Sequence, residues 1–338
     1  MEIIRLHNLS KVAILFLLIL GSCSKDDEII QEYNYHYINY EAKITAQQIG
    51  DGSGTFDPKA IAISNDKLYI CNGNVLEVFN AQSLQHIKTI NSYTKGETNI
   101  EFTNLTSIAV DSSRIYIGSK DSRLFVMDKN TEEEISVVGN GQWWNTFVHV
   151  FGVTVGDGLV FVKEKENSIK VFEASQITQT SDWNLAPIAK LNTVQGSAVE
   201  YSMGVENGKL VAAGRNAEAF LYYNISDILS KAESSLTTPL LPSYEPNKGV
   251  KPFAVKFTDH WAVTSEKVGS SNYLRLYPKT EFLNKSYNPQ VSAYDIMGEN
   301  TFGEILAVEQ LGDRIFIADN TNQEIKVIKL KTSSITER

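Results

Sequence analysis

The feature that most limits how this chain can fold is a unit that returns six times from about residue 57. Each copy is an alternating apolar strand, a tight polar turn, a second apolar strand, a polar loop and a third alternating strand. The first hairpins occupy residues 61–70, 108–117, 153–162, 203–212, 255–264 and 306–317. Anchored on Tyr69, Tyr116, Phe161, Val211, Val263 and Phe316, successive copies lie 47, 45, 50, 52 and 53 residues apart. The third strands recur as well, beginning at Leu76, Leu124, Ile169, Phe220, Leu274 and Ile325. Short strands at a fixed period of this length predict propeller blades. The expected fold is all-β, a six-bladed β-propeller of four-stranded antiparallel blades over residues 41–330.

Details inside the repeat sharpen that expectation. The hairpin turns carry Asn-Asp, Ser-Ser, Asp-Gly and Asn-Gly, residues that tolerate the positive φ of tight hairpins. In the first strand a small residue recurs between large ones: Ala62, Ala109, Thr154, Gly204 and Ala307. Blades press face to face near the axis, so one face needs bulk and the other needs room. The fifth copy breaks the rule with Lys256, read either as a blade boundary or as an ammonium directed into the central channel. The sixth copy shows three strands and then a polar tail, residues 331–338. Its outer strand is expected from Glu41–Gln48, which closes the ring by pairing the two chain ends and leaves no open sheet edge.

Two segments resemble a known repeat. Gly50-Asp-Gly-Ser-Gly-Thr-Phe-Asp-Pro58 leading into Ala60-Ile61-Ala62, and residues 313–328, are similar to NHL-type six-bladed propeller repeats. The resemblance spans residues 41–330 as a pattern and is close only in the first and last blades. The His-Leu of that signature is absent here. It implies a fold and carries no function across.

The N-terminus reads separately. Arg5 and Lys11 precede an apolar run from Val12 to Leu20, too short to cross a bilayer and suited to a signal peptide over residues 1–22. The run ends in Leu20-Gly21-Ser22-Cys23, which resembles the lipobox of bacterial lipoproteins and implies diacylation of Cys23 after cleavage. Ser24-Lys25-Asp26-Asp27-Glu28 looks like the export signal of surface lipoproteins of Bacteroidota. Residues 23–40 are therefore expected to be a lipidated N-terminus and tether, anchored by acyl chains without a span. The resemblance implies the outer membrane, its outer face first and the periplasmic leaflet second. With Cys23 acylated, the second of the two cysteines, Cys71, is expected to be a packed small side chain.

Charge excludes one class of partner. The formal net charge is -9 and becomes -10 once residues 1–22, with Glu2, Arg5 and Lys11, are removed. Nucleic-acid binding rests on neutralising phosphates, so nucleic acid is not an expected partner.

The repeat also places the loops of one propeller face. Lys59, Thr106, Phe151, Tyr201, Phe253 and Glu304 fall at equivalent points around the channel mouth, with His149 and Lys251 beside them. Trp143 and Trp144 lie in the loop between blades two and three, and flat indoles make anchors for planar ligands. The candidate ligand-binding residues are Trp143, Trp144, His149, Lys59, Tyr201, Lys251, Lys256 and Glu304. No nucleophile-elbow, His-Glu-x-x-His or phosphate-loop pattern occurs, and Asp128-Lys129-Asn130 and Asp319-Asn320-Thr321-Asn322 lack the glycine and glutamate of calcium loops. No catalytic residue, metal ligand or cofactor is assigned. Most of the prolines, from Pro239 to Pro289, fall in blades four and five, and residues 224–232 read as a short helix capped by Asn224 or Ser226. The leading expectation is a non-enzymatic surface lipoprotein whose mouth captures a nutrient or docks on an outer-membrane transporter. The alternatives are a metal-dependent lactonase or lyase, and a protein-binding scaffold of an envelope complex.

Overall fold

Each repeat becomes one antiparallel sheet that starts on the axis and works outward. The computed structural model describes residues 31–49, 54–95, 97–142, 146–165, 168–178, 183–192, 199–215, 217–232, 249–293 and 301–337. The innermost strands are Pro58–Ser64, Leu105–Val110, Val150–Gly156, Val199–Glu206, Val250–Phe257 and Ile305–Leu311. Each forms one edge of its own sheet, and each neighbours the next around a closed ring. Blades one, two, three, five and six have four strands, and blade four has three among the described residues. The fold is a six-bladed β-propeller, as the repeat predicts.

The ring closes through the chain ends. The outer strand of blade six is Gln31–Ile44, paired with Glu324–Glu337. Closure by the N-terminal segment is as expected, but both strands run further than the polar sequence suggested. They take in residues 31–40, read as tether, and 331–337, read as tail. Tyr33, Tyr35 and Tyr37 alternate with polar residues in the first strand, which is ordinary strand patterning. The contacts divide the chain into two units, residues 37–331 and the two ends. The described part of the second unit, residues 31–36 and 332–337, is extended, and His36 Nδ1 lies 2.9 Å from Thr332 Oγ1.

There is no single core in the propeller; its apolar side chains gather in six layers, one between each pair of neighbouring blades. This follows from the strand period of two, which sends alternate residues to the two faces of every blade. The small residues of the inner strands sit where expected. A Cβ on Gly204 of blade four would come within 2.9 Å of the Phe257 ring of blade five, so bulk on one blade needs its absence on the next.

The turns hold one correction. Asn65 and Asp66 have φ of 51° and 58°, Asp157 and Gly158 have 53° and 75°, and Asn207 and Gly208 have 49° and 68°. Ser112 and Ser113 do not adopt positive φ. Instead Asp111 Oδ1 accepts hydrogen bonds from the Ser113 and Arg114 amides at 2.7 Å, an Asx-type turn that needs no left-handed residue. The short helix falls at Ile225–Ala232, with Asn224 ahead of it donating to Asp227 at 3.0 Å.

An extra hairpin, Ser92–Lys95 paired with Thr98–Glu101, is inserted between blades one and two. Tyr93 pins it to blade two by donating its hydroxyl to the Val126 carbonyl at 3.0 Å. Cys71 is fully buried, and burial pushes its thiol far above the ordinary range, as suits a packed side chain rather than a nucleophile.

Candidate functional site

The six inner strands leave a channel with a cavity of about 230 Å³, bordered along its length by strand edges. At the end where those strands begin, a second cavity of about 240 Å³ is lined by Asp57, Lys59, Asn104, Lys120, Arg215, Glu304 and Asn320, among others. Lys59, Thr106 and Leu306 border both, so the mouth leads into the channel.

The mouth is built of charges that already hold one another. Lys59 Nζ lies 2.8 Å from Asp57 Oδ1, which also accepts from Asn320 Nδ2 at 2.6 Å. Arg215 pairs with Glu304 at 3.0 Å and stacks over Phe253, 4.4 Å from the ring centre. Lys120 Nζ sits 5.7 Å above the Phe151 ring and has no carboxylate partner among the described residues. Phe151 and Phe253, two aromatics of the expected ring, thus serve as platforms for a cation of the preceding blade. The result is a polar mouth with three cations and two carboxylates, held in fixed geometry.

The other expected residues divide. His149 lies at the rim with φ of 53°, its Nδ1 against the Lys120 carbonyl and its amide donating to Ser122 Oγ at 3.2 Å, so it braces the loop carrying Lys120. Thr106 is buried and donates to the Val150 carbonyl at 2.8 Å, which makes it a tie between blades two and three. Lys251 is exposed, 3.7 Å from Glu218, and lines neither cavity. Lys256 lies at the far end of the channel, where its ammonium meets Glu309 of blade six at 2.6 Å. Lys256 thus sits inside the inner strand Val250–Phe257, so no blade boundary falls there, and it borders the channel while tying blade five to blade six. Burial raises the Glu309 carboxyl above its usual range, and Lys256 opposes the rise. Trp143 and Trp144 lie outside the described residues, as do Cys23 and the Tyr201 side chain.

Two recurring devices escaped the sequence reading. Three residues beyond each anchor stand Asn72, Ser119, Glu164, Gly214, Glu266 and Asp319. Asn72, Glu164 and Asp319 accept a backbone hydrogen bond from Asp57, Val148 and Gly303 at 2.8, 2.9 and 2.9 Å, latching the loop that leads into their own inner strand. Ser119 does the same in reverse, donating to the Thr103 carbonyl. In blades three, five and six the acid at this position is neutralised from the third strand: Glu164 by Lys170 at 2.9 Å, Glu266 by Arg275 at 2.7 Å and Asp319 by Lys326 at 3.0 Å. These buried pairs look like catalytic acids in a list of charges, yet each is committed to its blade.

The second device lies two residues before each anchor. Lys67, Arg114, Lys209 and Arg314 each reach the next blade, to Glu132 at 2.8 Å, the Ile177 carbonyl at 2.8 Å, the Leu283 carbonyl at 2.9 Å and the Ala81 carbonyl at 2.6 Å. Blades three and five carry Leu159 and Trp261 at this position and pack them into the neighbouring apolar layer instead. Aligning the six copies column by column is the signal that finds both devices.

Among the described residues no three His, Cys, Asp or Glu side chains gather as a metal site requires, and no helix is long and apolar enough to cross a membrane. No family model matches the chain and no curated protein matches it. Solved structures match in fold alone. The WD40 repeats of RRP9 superpose with a TM-score of 0.54 at 10% identity, covering 89% of this chain and all of that one. The WD40 β-propeller domain of Doa1 gives 0.54 at 12% identity, covering 87% and 97%. Hydrazine synthase of Kuenenia stuttgartiensis gives 0.52 at 11% identity over 82% and 78%. The chain is similar to WD40 propellers in architecture, and at such identities the likeness extends to the scaffold and no further.

Proposed function

We propose that this chain is a non-enzymatic binding propeller, carried at the outer membrane by acyl chains on Cys23, whose mouth holds a small polar ligand. The observation that carries the ligand reading is the set of pre-paired charges around the mouth cavity. Asp57 with Lys59 and Glu304 with Arg215 offer donors and acceptors already oriented, while Lys120, over the Phe151 ring, adds one cation with no carboxylate partner among the described residues. Fixed polar groups around a cavity of this kind favour binding, since little side-chain freedom is lost when a ligand arrives. A polar molecule with one carboxylate and no other charge fits this balance, its acid on Lys120. The NHL-type likeness of the first and last blades supports the scaffold, and the lipobox and acidic segment support the address.

Two experiments test the two halves. Thermal-shift screening of the purified chain against nutrient-like polar acids and hydroxylated molecules is expected to give a stabilising hit that Lys120→Ala and Arg215→Ala both weaken. A screen in which nothing stabilises the protein, or in which hits ignore both variants, removes the mouth as the site. Membrane fractionation of Cys23→Ala is expected to release the protein from the membrane pellet, and retention there would remove the lipid anchor.

A further inference from the structure

A second groove lies off the axis, beside blade two, and two departures from the blade pattern build it. One is the inserted hairpin, whose strand Thr98–Glu101 exposes Asn99 and Glu101. It is fixed on blade two by Tyr93 and by the Thr94 amide, which donates to Glu134 Oε1 at 3.0 Å. The other is the stretch of blade three around Trp183. This crosses to blade two, where the Trp183 carbonyl accepts from the Gly139 amide at 2.7 Å and from Thr146 Oγ1 at 2.9 Å. Ring closure requires neither excursion. They meet around a cavity of about 660 Å³ lined by Asn99, Glu101, Arg123, Asn140, Trp183 and Asn184.

The chemistry of that lining is specific. One half-buried indole supplies a flat apolar wall. Asn99 and Asn184 each offer a side-chain donor and acceptor, and Asn140, whose Oδ1 accepts from the Gln142 amide at 3.0 Å, adds its NH2 donors; such amides match the adjacent hydroxyls of a sugar ring. The guanidinium of Arg123 is held in place by Asp121 on Nη1 and by the Asn140 carbonyl at 3.4 Å from Nη2. Gly141, with φ of 81°, gives it room, because a Cβ there would stand 2.4 Å from Nη2. With Arg123 matched by Asp121, Glu101 leaves the groove without surplus positive charge, which disfavours anionic ligands.

We infer that this groove is a carbohydrate-binding site for a neutral pyranose, stacked on Trp183 and hydrogen-bonded by Asn99, Asn140 and Asn184. It is separate from the mouth and independent of what the mouth binds. The cavity falls in the ordinary ligand-pocket range of roughly 300–1,000 Å³.

Calorimetric titration of the purified full chain with cellobiose, maltose, xylobiose and N,N′-diacetylchitobiose, each separately, tests it. At least one is expected to bind with a Kd of about 1 mM or tighter. Asn99→Ala and Asn184→Ala replace exposed side chains outside the apolar layers, and each is expected to weaken that binding about tenfold. Trp183→Ala is expected to abolish it, and Lys120→Ala at the mouth to leave it unchanged. The inference is overturned if none of the four binds at about 10 mM. It is equally overturned if binding survives both asparagine variants, or if Lys120→Ala abolishes it and so moves the sugar to the mouth.

Discussion

Lys326 and Asp319 form an ion pair of 3.0 Å with both side chains wholly excluded from solvent. Lys326 also meets Glu324 at 2.9 Å, and Asp319 accepts from the Gly303 amide and from Asn322 Nδ2, each at 2.9 Å. A buried pair this well satisfied costs little to keep and much to break, because removing one partner strands the other charge in an apolar setting. In blade four the same two places are Gly214 and Leu221, whose packing needs no charge at all.

Asp319→Ala should therefore destabilise the propeller by about 3–5 kcal/mol. The double variant Asp319→Leu with Lys326→Met should recover most of that loss, though not the latch to Gly303. Urea unfolding of Asp319→Leu, Lys326→Met and the double measures the coupling. A double no better than the sum of its singles would show that the pair is not the unit that matters.

Arg314 closes the ring electrostatically as the chain ends close it topologically. Its guanidinium donates to the Ala81 and Gln82 carbonyls of blade one at 2.6 and 2.9 Å and pairs with Glu41 at 3.0 Å. Arg314→Ala should cost about 2–4 kcal/mol, since the buried Ala81 carbonyl and the Gln82 carbonyl lose a donor at once and Glu41 is left with Lys329 at 3.7 Å. Hydrogen exchange should show the loss first in the amides of blades one and six. Uniform loss of protection around the ring would contradict a local clasp.

Glu132 makes stability depend on pH. Burial alone would raise its carboxyl, but hydrogen bonds from Lys67, Lys88 and Tyr69 prevail and lower it from 4.5 to about 2. A carboxylate whose folded pKa is depressed adds stability above its unfolded pKa and loses it as pH falls through the folded value. The loss therefore runs from about pH 4.5 down to about 2. With Lys67 and Lys88 partly solvated, the contribution is about 1–2 kcal/mol at neutral pH. Glu132→Gln should lower stability by that amount at pH 7 and flatten this part of the acid limb in thermal melts between pH 2 and 5.

Gly204 and Phe257 form a size-matched pair across blades four and five. Gly204→Ala places a Cβ 2.9 Å from the ring and should cost about 1–3 kcal/mol through overpacking. Phe257→Leu in the same chain should relieve part of that cost by clearing the ring edge. A destabilisation that Phe257→Leu leaves unchanged would place the strain in the backbone instead.

Much of this architecture could be read directly. Tyr69, Phe161 and Phe316 are spaced by the length of a blade, and the polar turns between apolar strands fix the hairpins. The small residues beside Val153, Val205 and Val308 mark where blades press together. These are local signals, set by strand alternation and turn chemistry within a few residues. The length of the closing strand was harder, because polar residues on an outer strand look the same as those in a tether. Lys256 stayed ambiguous for a related reason, since its partner Glu309 lies 53 positions away.

The sites were less legible than the fold. Sequence placed Lys59 and Glu304 at one mouth, but the pairing of Arg215 with Glu304, the bond from Asn320 to Asp57 and the seat of Lys120 over Phe151 came only through the ring. The off-axis groove joins residues 99, 140 and 183 from three repeats, and no spacing announces it. By itself the sequence determined the number of blades, their order and the closing of the ring by the chain ends, because periodicity and turns act locally along the chain. Tertiary structure alone decided which charges neutralise one another and which stay free for a ligand, because that depends on distances between blades that only the closed ring sets.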